Sequence, residues 1–384
     1  MFLILLSCLV LISNSAASAN TPEDFNQLIV KYGRESEDFD VVTEDGYILK
    51  LFRITGNESK QPVLLVHGVL DSADTFVIRG NDSVALNLAE AGYDVWITNC
   101  RGNKYSRRHV KLSPDLDKAF WDYSLHEMGI HDLPATIDFI LEKTGKAKLS
   151  AIGHSEGNTI FYVLGSLMPE YNEKVSVMIA LGPIAYFHHA KPFASDLIAV
   201  WPVVNGFYKI TFTEEVLPDR SASAELARFV CNRGLLGYEA CVIGIGAVVG
   251  CDKDEIEPDF LKRAVGYFPA GTSRKNLNHL VQITRSSGFA QYDYGVIKNR
   301  ILYKSISPPE YDLANVTMPV ALLVGKNDNF AVEEDAERLR DVLPNVADYH
   351  VMERKTFSHI DFVWGKHIPE YLIPILDDLL SKFS

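Results

Sequence analysis

Cysteine is scarce in this chain, five among 384 residues, and none forms a Cys-x-x-Cys pair. Zinc sites favour such pairs, so the spacing argues against a metal centre. No apolar run reaches the roughly 18 residues that a membrane-crossing helix needs, so no integral span is expected. Basic charge is in deficit, 37 Lys and Arg against 50 Asp and Glu, giving a net charge of −13. That balance argues against nucleic acid or an anionic membrane surface as the main partner and fits a neutral substrate better. Internal repeats and low-complexity segments are missing too, so no flexible linker is expected. What remains is 47% hydrophobic and 23% charged, ordinary globular composition with enough length for a large core.

The chain opens on an apolar run, Phe2 to Ile12, followed by small polar residues and Ala17-Ser18-Ala19. This reads as a secretory signal over residues 1–19, although no Lys or Arg precedes the run. A membrane span is the alternative, and the run is too short for it. Three Asn-x-Ser/Thr triplets, at Asn57, Asn81 and Asn315, fit the same compartment as glycan acceptors on surface loops. Cys8 leaves with the signal, while Cys231, Cys241 and Cys251 cluster; an oxidising compartment permits one disulfide there.

Past the signal, Asp40 to Val42 and Tyr47 to Ile54 flank Asp45-Gly46, a hairpin signal. Short apolar runs follow at Val63 to Val66, Tyr93 to Thr98, Leu149 to Ile152, Val175 to Leu181 and Val320 to Val324, separated by helical patterns such as Asp132 to Lys143. Strands alternating with helices predict an α/β protein with a mostly parallel sheet covered on both faces. The alternation breaks between about Tyr186 and Ser307. An insertion that long reads as a largely helical cap over the carboxyl edge of the sheet, where open α/β folds bind ligands. The expected organisation is a core over 20–185, a cap over 186–307 and the rest of the core over 308–384.

The strongest local signal is Gly153-His154-Ser155-Glu156-Gly157, because an apolar run precedes it and a helical run, Asn158 to Leu167, follows. That context is what a nucleophile elbow requires; a plain glycine-rich turn is the bland alternative. A serine hydroxyl is a weak nucleophile and needs a base oriented by a carboxylate, in the chain order Ser, Asp or Glu, His. Asp328 leaves the carboxyl end of the run Val320 to Val324 and is the expected acid; Glu334 and Asp335 fall in the helical pattern Val332 to Leu343 and read as its solvated face. His359 lies in a connection and is the expected base, whereas His350 sits in a strand-like run and His367 opens the last helix. The oxyanion donors are then the backbone N–H of Glu156 and that of Val69, in the loop after an early strand. His67 reads as a residue shaping that loop.

With these residues in place the chain resembles the animal acid lipase family of the α/β-hydrolase superfamily. The resemblance rests on His67-Gly68, Asn99 with Arg101-Gly102-Asn103 and Ser106-Arg107-Arg108, Asp132 to Asp138, the elbow, Pro269 to Ser273, Asn327-Asp328 and His359 to Trp364. It implies the α/β-hydrolase fold, hydrolysis of triacylglycerols or cholesteryl esters at an oil–water or membrane interface, no cofactor, a mobile lid in the cap, and a digestive or lysosomal site of action. It also implies a disulfide between Cys231 and Cys241 and leaves Cys100 as a buried free thiol. Arg101, Lys104, Arg107, Arg108 and His109 form a basic run whose expected role is ion pairing within its loop, not anion binding. Val242 to Val249 fits lid surface and buried cap equally. Two other functions compete: a carboxylesterase on small soluble esters, and a noncatalytic lipid-binding protein on the same fold.

Overall fold

Runs of Val, Ile, Leu and Ala suit a pleated surface, and where both faces are covered they need no polar alternation. In this computed structural model, which describes residues 22–56, 60–286 and 288–384, such runs build an eight-stranded sheet. The expected signal and Asn57 lie outside the described residues. Along the chain come β1 (Glu37–Val42), β2 (Ile48–Ile54), β3 (Pro62–Val66), β4 (Asp94–Thr98), β5 (Leu149–His154) and β6 (Val175–Leu181). Then β7 (Glu215–Val216) and β8 (Thr272–Ser273) pair with each other, and β9 (Val320–Val324) and β10 (Val346–Val351) return to the main sheet.

The spatial order is β1-β2-β4-β3-β5-β6-β9-β10. The first two strands form the hairpin and β2 meets β4 antiparallel; every later pairing in the main sheet is parallel. Side chains alternate between two cores, with Val63 and Leu65 facing one and Leu64 and Val66 the other. Helices α1 (Phe25–Lys31), α2 (Val84–Glu90) and the last helix, Ile373–Lys382, close the first face. On the second lie α3 (Leu133–Thr144) and α4 (Glu156–Leu167).

The segment between β6 and β9 is mostly helical: α5 (Pro192–Ile210), α6 (Ala222–Cys231), α7 (Gly234–Val249), α8 (Pro258–Ala264), α9 (Arg274–Arg285) and α10 (Val296–Leu302). A disulfide, Cys231 to Cys241 with Cα atoms 5.6 Å apart, ties the end of α6 to the middle of α7. Cys100 is free and buried, and Cys251 is free and partly buried. The basic run is spent on pairing: Arg101 with Asp45 and Asp132, Lys104 with Asp74, Arg107 with Asp115 and Glu215, and Arg108 with Asp40. Asn81 and Asn315 are both exposed.

Asp335 departs from its expected place. It lies in the first turn of α11 (Glu333–Val342), yet it is buried and accepts hydrogen bonds from the backbone N–H and ring Nδ1 of His189 at 2.9 and 2.8 Å. The segment after β6 crosses this helix and covers a carboxylate that helical periodicity alone puts in water.

Candidate active site

The elbow is forced by close packing. β5 ends at His154, Ser155 takes φ 56° and ψ −121°, and α4 begins at Glu156. A Cβ on Gly153 would lie 2.6 Å from the Asn158 nitrogen, and one on Gly157 would lie 2.2 Å from the Val66 carbonyl oxygen. Only glycine lets the helix meet strand and loop this tightly. A serine in this backbone region is strained, and a surrounding hydrogen-bond network has to hold it there. Ser155 N–H donates to Leu181 O at 3.0 Å. The side chain of Asn158 donates to Leu181 O and Gly182 O and accepts from Ile184 N–H, fastening the elbow to the end of β6.

Asp328 leaves β9 fully buried. Its Oδ1 accepts the N–H groups of Phe330 and Ala331, both at 2.8 Å, which leaves Oδ2 facing His359 Nδ1 at 2.6 Å. A ring that donates through Nδ1 keeps Nε2 as its acceptor, the arrangement a general base needs. Gly182, at φ 59°, allows the pair to approach the elbow: a Cβ there would lie 2.9 Å from His359 Nδ1 and 3.4 Å from Asp328 Oδ2.

The loop after β3 completes the enclosure. A Cβ on Gly68 would lie 3.1 Å from Ser155 Cβ, so this loop runs against Ser155 and carries Val69 beside it. Leu70, at φ 61°, offers its carbonyl to Ala270 N–H, so the Pro269 to Ser273 stretch braces the loop. His67 Nδ1 bonds to Gly68 O at 2.8 Å, while its Nε2 accepts from Cys100 N–H at 3.1 Å. Burial pulls the His67 pKa down to about 4, so the ring is a neutral bracket for the loop.

Residues 61–365 match the family described as alpha/beta hydrolase fold, and residues 25–80 match a partial alpha/beta-hydrolase lipase region. The chain belongs to the alpha/beta-hydrolase family. Among its relatives, Lipase 1 of Drosophila melanogaster is 38% identical over 93% of this chain and 79% of its own length. Human gastric triacylglycerol lipase is 35% identical over 94% of this chain and 91% of its own length. A thermophilic esterase from Thermogutta terrifontis shares the fold at a TM-score of 0.54 and 16% identity, covering 90% of this chain and 99% of its own.

The two rival histidines of this α/β-hydrolase lie elsewhere. His350 stays within β10, and His367 bonds to Glu255 at 2.9 Å. The sequence reading passed over His154, whose ring lies 4.8 Å from that of His359 and bonds through Nε2 to His359 O at 2.9 Å. Burial, helped by His359, pulls its pKa down to about 3 and keeps it uncharged. Also missed was Asp361, which accepts Ser358 N–H at 2.6 Å and shapes the turn carrying His359. The advance signals for either were adjacency to a catalytic candidate and a place in the motifs that carry the family resemblance.

The last turn of α7 lies on the same loops. Asn329 donates to Gly246 O at 3.0 Å, and Gly250 packs against Asn327 O and Ser358 Cβ. Within Val242 to Val249 the burial is mixed: Val242 is buried, Ile243 exposed and the rest intermediate. Among the described residues no group of three or more His, Cys, Asp or Glu could hold a metal ion, and no helix is long and apolar enough to cross a membrane.

Proposed function

We propose that this α/β-hydrolase is a serine lipase of the secretory pathway, acting in a digestive lumen or a lysosome on triacylglycerols or cholesteryl esters. Ser155 Oγ attacks the ester carbonyl while His359 takes its proton, and Asp328 orients and stabilises the imidazolium. The backbone N–H groups of Val69 and Glu156 hold the oxyanion. His359 returns the proton to the leaving alcohol, and water releases the acid by the same route. Residues 186–307 serve as the cap, with its lid meeting lipid.

The observation that carries the reading is Ser155 at a positive-φ strand-to-helix turn, enclosed by the Gly68 loop and by the buried Asp328–His359 pair. The human and fly relatives, both named as lipases, support the substrate class. An alkyl phosphonate is expected to label the wild type at Ser155 and leave Ser155→Ala unmodified, with ester turnover down about 10⁶-fold. Triolein emulsion, cholesteryl oleate and a dissolved short ester, compared side by side, separate lipase from carboxylesterase. Turnover confined to the dissolved ester overturns the lipid assignment.

A further inference from the structure

Glu156 follows the nucleophile and is 5% exposed, deep enough that a charge there needs a partner. Its Oε1 accepts Asn276 Nδ2 at 2.7 Å, from the first turn of α9. Asn276 is fully buried and its Nδ2 also lies 3.2 Å from Thr272 Oγ1, but its Oδ1 has no donor. The amide is matched on its donor side and unmatched on its acceptor side.

No cation among the described residues is left to balance a carboxylate here. Lys275, beside Asn276, gives its ammonium to Glu127 and Asp122. Arg101 is taken by Asp45 and Asp132. His67 and His154 are held neutral by burial, and His359 faces Asp328. The Cys100 thiol feels the Glu156 carboxyl and is itself kept protonated by burial.

We propose that Glu156 works as a neutral carboxylic acid whose O–H supplies the donor that the Asn276 carbonyl lacks, so that acid and amide lock helix α9 to the nucleophile elbow, and that ionising Glu156 shuts hydrolysis down. A carboxylate has only acceptors, so losing this proton removes the second half of the pair. It also puts a negative charge on the residue whose own N–H faces the oxyanion, a consequence that rests on the serine-lipase reading. Glu156 is thus a positioning residue whose proton sets the alkaline limit. Burial pushes its carboxyl pKa up to about 7, opposed only by the Asn276 hydrogen bond, which places that limit within working range.

The test measures kcat/KM on a dissolved short ester from pH 4 to 9 for the wild type and Glu156→Gln, each scaled to its own value at pH 5.5. The wild type is expected to fall at least tenfold by pH 8.5 with a midpoint near 7. Gln carries an N–H donor that does not titrate, so the variant's fall should be lost or moved up by more than one pH unit. Equal alkaline falls in both proteins overturn the proposal. Infrared spectroscopy of wild-type enzyme labelled with ¹³C at glutamate Cδ gives a readout independent of turnover and of the variant's folding. A label-shifted acid C=O band is expected at pH 5.5 and should vanish by pH 8.5; no such band also overturns it. If the chain hydrolyses no ester, the infrared titration still reports the acid, which separates this failure from failure of the serine-lipase reading.

Discussion

At the residue scale, the proposed chemistry hangs on which nitrogen of His359 is protonated. Asp328 Oδ2, 2.6 Å from Nδ1, fixes that choice because its other oxygen is already held by two backbone N–H groups. Asp328→Asn retains shape but offers an amide donor to Nδ1 and favours the wrong tautomer. We expect kcat/KM to drop by about 10⁴-fold with little loss of stability, and phosphonate labelling to slow in parallel. Unchanged labelling would remove Asp328 from its assigned role. Ser155 and Asp328 were legible because each follows an apolar run at the end of a strand, where local pattern predicts position, and His359 because it lies in the connection after a strand-like run. His154, Asn158 and Asp361 were not, because they act through backbone groups at Leu181, Gly182, Ser358 and His359 that only the folded sheet brings near. Asp335 was misread for the same reason: its partner, His189, is 146 residues away.

At the element scale, α7 is the member that touches the loops carrying Asp328 and His359 and also water. Its C-terminal turn lies on Asn327, Asn329 and Ser358, while Leu235 and Leu236 near its start are 70% and 86% exposed. Leucines so exposed lose nothing if charged in water, but at a lipid surface each forfeits about 2 kcal/mol of burial. The double change Leu235→Asp with Leu236→Asp is therefore expected to lower turnover of emulsified triolein at least tenfold, while kcat/KM on a dissolved ester stays within twofold. Equal loss on both substrates would show that α7 supports the site and does not meet lipid. Periodicity could not choose between surface and core for Val242 to Val249, and the helix is in fact both, since its sides face different surroundings.

At the scale of the whole molecule, two sets of buried groups set opposite pH slopes. Burial raises the carboxyl pKa of Asp71, Glu156 and Asp361 to about 7. Between their unfolded values, about 4, and 7 the folded chain keeps three protons that the unfolded chain has lost, so stability falls as pH rises. Burial lowers His67 and His279 to about 4 and His154 to about 3. Up to the unfolded value of about 6.5, the unfolded chain holds those protons and stability rises with pH. Each proton is worth about 1.4 kcal/mol per pH unit, so the two sets nearly cancel. Calorimetry should find Tm flat from about pH 4.5 to 6.5, declining as pH rises through 7 and level again by about pH 8; a steep slope inside the first window would mean one set is not protonated as described. The parallel sheet and its helical interruption were legible in the alternation of apolar runs, since strands buried on both faces write themselves as unbroken Val, Ile and Leu. Strand order was not, because β6 and β9 pair across the whole helical segment.

That last pairing separates covalent continuity from functional continuity. Ser155 stands before the helical segment, and Asp328 and His359 stand after it. A protease that cuts one exposed peptide bond between β6 and β9 divides the proposed catalytic set between two polypeptides, held together by the β6–β9 ladder, the two cores and side-chain bonds such as His154 to His359 O and Trp364 to Thr75. Nicked enzyme should migrate as one particle until it is denatured. A cut between Cys231 and Cys241 is different, because there the disulfide keeps both pieces on one molecule until a reductant is added.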